Sequence, residues 1–479
     1  MRFATVLLAM LACVSSAGLT PTRLRCEYRE APIGMDDPVP RLEWINVAEA
    51  GERGQRQTAW RVQVAADKAE LGSVDAAWDS GKVVSAESTQ IAYAGQPLLP
   101  RQRYWWRVCT WDREGRASAW SEPTFFETGM LGRPWLAKWI GAPWQQEDGR
   151  RDADAAPLLR TEFQLPKNIV QARAYVTGVG YFELYLNGQK VGNDVLLPAQ
   201  TDYGKRASIR VGHPIDPVFS GHRVLYLTYD VTSLLKSGTN AAGAMLGNGW
   251  YNRHDGREGD LGFGAPRFLM EIHVRLADGT ERVIVSDESW KASKGPVVFN
   301  QMYGGERYDA RLEQAGWCSS GFNDRTWQPA VLRNEPGGLL QAQPAPADRV
   351  MEVIKPAKIE KLGEGRYRLV FPEEVAGWLR FRVKGPAGQT VEVRWIAQDT
   401  NDKQDYNGKN SYTLRGGGVE TYAPHFTWFV FNAVELSGWP GELTPDCVQA
   451  EAVYTGVETT GQFTCSNHLF EQIDRLYWR

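Results

Sequence analysis

Residues 174–203 read Ala-Tyr-Val-Thr-Gly-Val-Gly-Tyr-Phe-Glu-Leu-Tyr-Leu-Asn-Gly-Gln-Lys-Val-Gly-Asn-Asp-Val-Leu-Leu-Pro-Ala-Gln-Thr-Asp-Tyr. Within them, 181–186 is aromatic and apolar with Glu183 as its one charge. Asn187-Gly188 supplies the two positive-φ positions of a tight type I′ turn, and Lys190-Val191 begins the return. A hairpin implies a sheet. The segment beyond it, anchored by Pro198, carries Asn193, Asp194, Gln200, Thr201 and Asp202 beside several aromatics. Oxygen and amide groups in that company make up surfaces that bind sugars.

Upstream, residues 24–129 hold strand-like segments at short, regular spacing: the alternating Trp60-Arg-Val-Gln-Val-Ala, the turn after Trp78, and the aromatic Tyr104-Trp-Trp-Arg-Val-Cys-Thr-Trp. About seven strands in roughly 100 residues predict an immunoglobulin-like or fibronectin type III-like sandwich over 18–130. The Trp-rich strand reads as its core, since a sandwich needs large inward residues. Downstream of the hairpin, 225–232, 240–246 and 267–285, with the turn signal Asp278-Gly279, complete a jelly roll over 131–345. The Pro- and Gly-rich stretch 334–347 reads as a linker, and strands between 367 and 436 predict a third sandwich over 346–460. At 461–479 the character changes. Ser466 is placed to cap a helix in which Leu469, Phe470, Ile473, Leu476 and Tyr477 share a face. The fold class is therefore all-β, three tandem sandwiches followed by the start of a helix, consistent with a length about three times the usual domain prior of roughly 150 residues.

A net charge of −3 gives no electrostatic footprint for nucleic acid or an anionic membrane surface, and no run after the N-terminus is long and apolar enough to span a bilayer. Arg2, the apolar run that follows and Ser15-Ser16-Ala17 have the layout of a secretory signal over 1–17, so the mature chain is expected to be secreted or periplasmic. Five cysteines would remain, none in a CxxC pair. Cys26 with Cys109, or Cys447 with Cys465, could bridge within a domain, and buried thiols are the equal alternative. Six histidines show no metal-binding spacing, and no nucleophile elbow, phosphate loop or dinucleotide fingerprint occurs. The adjacent Glu373-Glu374 point to opposite strand faces and cannot flank one bond. Asp399, Asp402 and Asp405 read as turn residues, and His254-Asp255 as an exposed loop pair.

Three blocks carry a family resemblance. The first is Leu186-Asn-Gly-Gln-Lys-Val-Gly with Thr201-Asp-Tyr, Tyr229-Asp-Val-Thr and Gly247-Asn-Gly-Trp-Tyr. The second is Gly305-Glu-Arg-Tyr-Asp-Ala-Arg with Gly316-Trp317. The third joins Gly377-Trp-Leu-Arg-Phe-Arg-Val-Lys-Gly, Tyr412-Thr-Leu-Arg-Gly-Gly-Gly, Pro424-His-Phe-Thr and Thr460-Gly-Gln-Phe-Thr-Cys-Ser-Asn. In order and spacing they resemble the non-catalytic front of the bacterial α-L-rhamnosidases, which hydrolyse terminal rhamnose from plant glycosides and polysaccharides. The resemblance implies a concanavalin-like third sandwich and an N-terminal accessory role. It also implies a helical catalytic domain as intramolecular partner, whose paired carboxylates have no counterpart in this sequence, so that the chain alone is expected to be inactive. A stand-alone rhamnose-binding β-sandwich protein is the alternative. No cofactor is required, but some members bind rhamnose through calcium in the jelly roll. That implies a metal site at Asn193 and Asp194 and a carbohydrate site at Asn193, Asp194, Asp202, Asn248 and Trp250. Val191-Gly-Asn-Asp inserts a residue relative to the family's Val-Gly-Asp, and residues 209–222 add an excursion before the next strand. The expected partners are rhamnose-containing glycans.

Overall fold

The strand Tyr181–Leu186 returns through Asn187 and Gly188, at φ 50° and 87°, into Gln189–Lys190, as the I′ turn requires. The computed structural model describes residues 18–147, 155–203, 221–252, 262–396 and 408–477. The leader over 1–17, His254-Asp255, the three aspartates at 399, 402 and 405, and the excursion up to residue 220 lie outside the described residues.

This strand is buried on both faces, and the two-residue period divides the faces between two tasks. Phe182, Leu184 and Leu186 enter the main core of the second sandwich. Tyr181 and Tyr185 point the other way, into a second apolar cluster that includes Met245, Trp378 and Phe426, and Glu183 shares their side. The neighbouring strand Gly238–Gly247 repeats the device: Ala242, Ala244 and Leu246 face the main core, whereas Met245 faces the second cluster. Glycines fill the outward positions flanking Met245. A Cβ on Gly247 would stand 2.3 Å from the Phe426 ring, and one on Gly243 2.5 Å from Trp317. The missing side chains let both aromatics lie directly on the sheet, and burying a phenylalanine such as Phe426 contributes about 1.5–3 kcal/mol.

Around the hairpin, a six-stranded sheet packs on a seven-stranded one, whose centre pairs Ile169–Val179 with Arg267–Leu276. Before them, seven strands form a three-stranded and a four-stranded sheet around Trp44, Trp60 and Trp106, the immunoglobulin-like module expected. Its Trp-rich strand Arg103–Trp111 lines that core. This module is bound to the next by a buried ion cluster: Glu127 takes Arg173 at 2.8 Å and also pairs with Arg103. Burial opposes the Glu127 anion, but the two guanidiniums overcome it and hold its pKa below the ordinary carboxylate value.

The third sandwich is built on one ten-stranded sheet, eight strands along its main path and two more paired to its central strand off that path. Its spine is the 18-residue strand Arg366–Val383. The first half pairs with Lys358–Gly363 and Phe429–Ser437, the second with Val448–Thr455 and Glu420–Tyr422. A register shift between Val370 and Val375 interrupts its pairing with Phe429–Ser437 as a β-bulge does. Two features were not foreseen. The hairpin Val297–Gln301 and Gly305–Asp309 falls in sequence within the jelly-roll stretch, yet pairs in parallel with Lys409–Thr413 of the third sandwich. In addition, the stretch expected to be a linker contains the strand Leu339–Ala342, paired in parallel with Arg223–Asp230.

At the C-terminal end the helix His468–Tyr477 forms with its apolar residues exposed, and its cap is Asn467, not Ser466: Leu469 N donates to Asn467 Oδ1 at 3.1 Å. All five described cysteines are free thiols, with Cys26, Cys109 and Cys318 buried. No helix among the described residues is long and apolar enough to cross a membrane.

Candidate functional site

Of the residues expected to bind sugar or calcium, Asp194, Asn248 and Trp250 meet other chain segments through their side chains and Asp202 through its backbone. Asn193 is exposed, but Asp194 is buried. Arg349 Nε donates to Asp194 Oδ1 at 2.6 Å and Tyr229 OH to Oδ2 at 3.1 Å, while Val195 N donates to Asp348 O at 2.9 Å. Asp194 thereby ties the segment after the hairpin to the strand Asp348–Ile354. Asp202 is half-buried, and its carbonyl receives Arg223 N at 3.2 Å. Asn248 is buried: its side chain donates to Asn300 O and accepts from Asn252 Nδ2, both at 2.8 Å. Trp250 packs edge-on to Tyr303 with centroids 5.6 Å apart. Among the described residues no three His, Cys, Asp or Glu side chains are grouped to hold a metal. Asp194→Ala is expected to destabilise the protein by about 1–3 kcal/mol by stranding the buried Tyr229 hydroxyl. Thermal unfolding should show the same loss with calcium and with a chelator.

A different set of residues converges where the second and third sandwiches meet. Glu183, facing outward from its strand, receives Lys190 Nζ at 2.8 Å, Tyr185 OH at 2.5 Å and His425 Nδ1 at 3.0 Å. Burial opposes its charge, but His425 and Lys190 outweigh burial and hold its pKa well below the usual carboxylate range. Burial likewise disfavours the His425 cation, and the negative charges of Glu183 and Glu306 prevail, raising its pKa above 6.5. Behind it lies Glu306, fully buried. His425 N and Phe426 N donate to its Oε2 at 2.9 and 3.0 Å, and Tyr422 OH to its Oε1 at 3.1 Å. All these groups donate, which suits a carboxylate, while burial pushes its pKa up. Three segments far apart in sequence are thus locked at one point.

Beside this lock opens a cleft of about 310 Å³. Leu158 and Met245 line it from the six-stranded sheet, Tyr185 and Trp317 stand edge to face at 5.4 Å, and His425 lies parallel to Tyr308 with centroids 5.8 Å apart. The loop carrying Trp317 is held by Arg160, a buried guanidinium that donates to Trp317 O at 2.8 Å and pairs with Glu162 and Asp324. Sequence reasoning missed this site because its members lie in three separate blocks. The available signal was Glu183, a lone charge on the outward face of an otherwise apolar strand.

Fold and junction together define an assembly of tandem β-sandwiches locked at a polar seam. Three family models match it in succession: "Rha78A-like, N-terminal immunoglobulin domain" over 21–132, "Alpha-L-rhamnosidase N-terminal domain" over 167–352, and "Bacterial alpha-L-rhamnosidase concanavalin-like domain" over 360–454. The chain belongs to the bacterial α-L-rhamnosidase family, of which it carries the N-terminal β domains. It is 32% identical over 485 residues to an α-L-rhamnosidase of Formosa agariphila, covering 93% of this chain and 49% of that protein. It is also 29% identical over 623 residues to one from Streptomyces avermitilis, covering 93% and 58%. Among solved structures, that of the α-L-rhamnosidase from Dictyoglumus thermophilum superposes with a TM-score of 0.85 at 34% identity, covering 96% of this chain and 51% of the other. The Streptomyces avermitilis enzyme complexed with L-rhamnose gives 0.84 at 28% identity, covering 95% and 59%. The chain spans about half the length of the curated relatives it matches.

Proposed function

We propose that this chain serves as the N-terminal accessory portion of a secreted α-L-rhamnosidase acting on terminal α-L-rhamnose of plant glycosides and polysaccharides, and that it supplies none of the catalytic carboxylates. The observation that carries this reading is the succession of three rhamnosidase domain matches along one chain, in relatives named for that activity. The leader-like residues 1–17 support export. In this reading the β domains brace a helical catalytic domain, and the seam of Glu183, Glu306 and His425 keeps the second and third sandwiches in fixed register for it. Inversion at a glycosidic carbon needs an acid and a base about 6.5–9.5 Å apart with room for water between them. The carboxylates at the seam instead spend their oxygens on protein donors.

The test has two arms. The coding DNA beyond codon 479 is expected to encode helical sequence with acidic motifs, in frame or after a one-base slip, and unrelated sequence there would overturn the reading. The purified 479-residue chain is expected to leave an aryl α-L-rhamnoside intact, and turnover would overturn the assignment of no catalytic carboxylates.

A further inference from the structure

Past the third sandwich the chain runs out along the surface. Its last ladder residue, Thr455, pairs with Asp348, and Gly456 N donates to Ala347 O at 3.0 Å. Residues 457–464 are all exposed, and the helix His468–Tyr477 to which they lead buries none of its residues. One carboxylate in this stretch is nevertheless held, and by a different module. Arg25 Nη2 donates to Glu458 Oε2 at 2.8 Å, and Arg23 Nη2 stands 3.7 Å from Oε1. We propose that this contact is a latch, through which the first sandwich, 433 residues upstream, fixes the direction in which the segment 457–467 and its helix leave the third. What the helix leads to rests on the accessory reading, whereas the latch is a property of this chain alone.

An ion pair between two exposed, freely rotating side chains contributes little, because both lose rotamer freedom and water screens them. This contact differs in its donors. The Arg25 side chain is only 13% exposed, so packing has already fixed its guanidinium and little freedom is left to lose. Glu30, the other carboxylate beside it, lies 3.9 Å from Nε and leaves Nη2 to Glu458. Glu458 in turn meets one guanidinium at each oxygen, a small network of the kind that outlasts a lone pair. The backbone is shaped at the same point. The strand Leu19–Cys26 shifts register against Arg41–Ala48 between Thr22 and Arg25, and Arg23, at φ 48°, lies in the left-handed region that a residue with a side chain keeps only where its surroundings hold it. Geometry gives the contact its consequence. Gly456, bonded to Ala347, would alone leave a pivot. A second attachment two residues on, to another module, turns the pivot into a direction. Between Thr459 and Thr464 the described residues make no hydrogen bond to the rest of the protein, so the aim of the helix depends on these two points.

The experiment measures the distance from the first module to the helix in the 479-residue chain. Spin labels carried on ketone-bearing residues at Val84 and Phe470, both exposed, avoid the free cysteines, and pulsed dipolar EPR reads the distance distribution. One narrow distribution is expected. Glu458→Gln, at an exposed side chain whose loss leaves the sandwiches intact, should broaden it at least twofold. The mirrored swap, Arg23→Glu and Arg25→Glu together with Glu458→Arg, should narrow it again. A distribution in Glu458→Gln as narrow as in the wild type overturns the proposal, as does a swap that folds and stays broad. If the swap does not fold, Glu458→Gln decides alone. Failure here leaves the accessory reading standing, because that reading is tested by the DNA beyond codon 479.

Discussion

Glu306→Ala is expected to destabilise the protein by about 3–5 kcal/mol in equilibrium urea unfolding. The carboxylate is fully buried and its neighbours all donate to it: two successive backbone N–H groups, from His425 and Phe426, and the hydroxyl of Tyr422. Alanine leaves these donors in a water-poor space with nothing to bond, at about 1–3 kcal/mol each before relaxation. Glutamine should restore only part of the loss, because its NH₂ must face a donor where the carboxylate had a second oxygen. The damage should spread beyond the mutated residue. Phe426 rests on the second sandwich through the space above Gly247, so a displaced 425–426 backbone loosens the seam as well as the third sandwich. A loss below 1 kcal/mol would show that the 425–426 backbone finds other partners.

The parts of the fold that were legible in the sequence are those set by local chemistry. Asn187-Gly188 and Asp278-Gly279 could only be turns between alternating segments, and both are. The seven short strands before residue 130 carry enough large aromatics to define a two-layer core, and they form one. What was not legible is which sheet an alternating segment joins. The hairpin at Val297–Asp309 has the same local pattern in either sandwich, and its place is set by parallel pairing of Arg307 with Ser411 and Tyr308 with Tyr412, about a hundred residues away. Leu339–Ala342 was hidden for a related reason. Its Pro and Gly neighbours signal a loop, and the strand exists because Arg223–Asp230 presents a free edge beside it.

The site shows the same division. Density of polar side chains drew attention to Asn193, Asp194 and Asp202, and the motif 247–251 to Asn248 and Trp250, but a polar residue after a hairpin serves a neighbouring strand as readily as a ligand. Asp194 does so through Arg349 and Tyr229. The motif residues Glu306, Tyr308, Trp317 and His425 were quoted for their resemblance, and their convergence on Glu183 depends on how two sandwiches dock. No local pattern encodes that docking. A strand buried on both faces was the clue, since its outward face must meet something other than its own core.

The pair formed by Glu183 and His425 gives the seam a pH signature whose sign follows from the direction of each shift. Glu183 has its pKa depressed, so its contribution is complete above its ordinary value of 4.5 and fades as pH falls below it. For His425 the pKa is raised, so its contribution is complete below its ordinary 6.5 and is lost as pH climbs through the higher folded-state value. The coupling is therefore fullest between about 4.5 and 6.5 and weaker on either side. Glu183→Gln removes the anion from both His425 and Lys190 while preserving shape, and should cost about 2–4 kcal/mol inside that window. Other carboxylates also titrate below pH 5, so the informative quantity is the difference in unfolding free energy between wild type and variant at each pH. That difference should be bell-shaped, falling toward pH 3 as Glu183 takes up a proton in the unfolded chain but not in the folded one, and toward alkaline pH as His425 loses its charge. The alkaline side should keep a remainder, because the bond between Lys190 and Glu183 does not depend on His425. A difference that stays flat from pH 4 to 9 would mean that His425 is neutral in the folded protein and that Lys190 alone holds Glu183 in its depressed state.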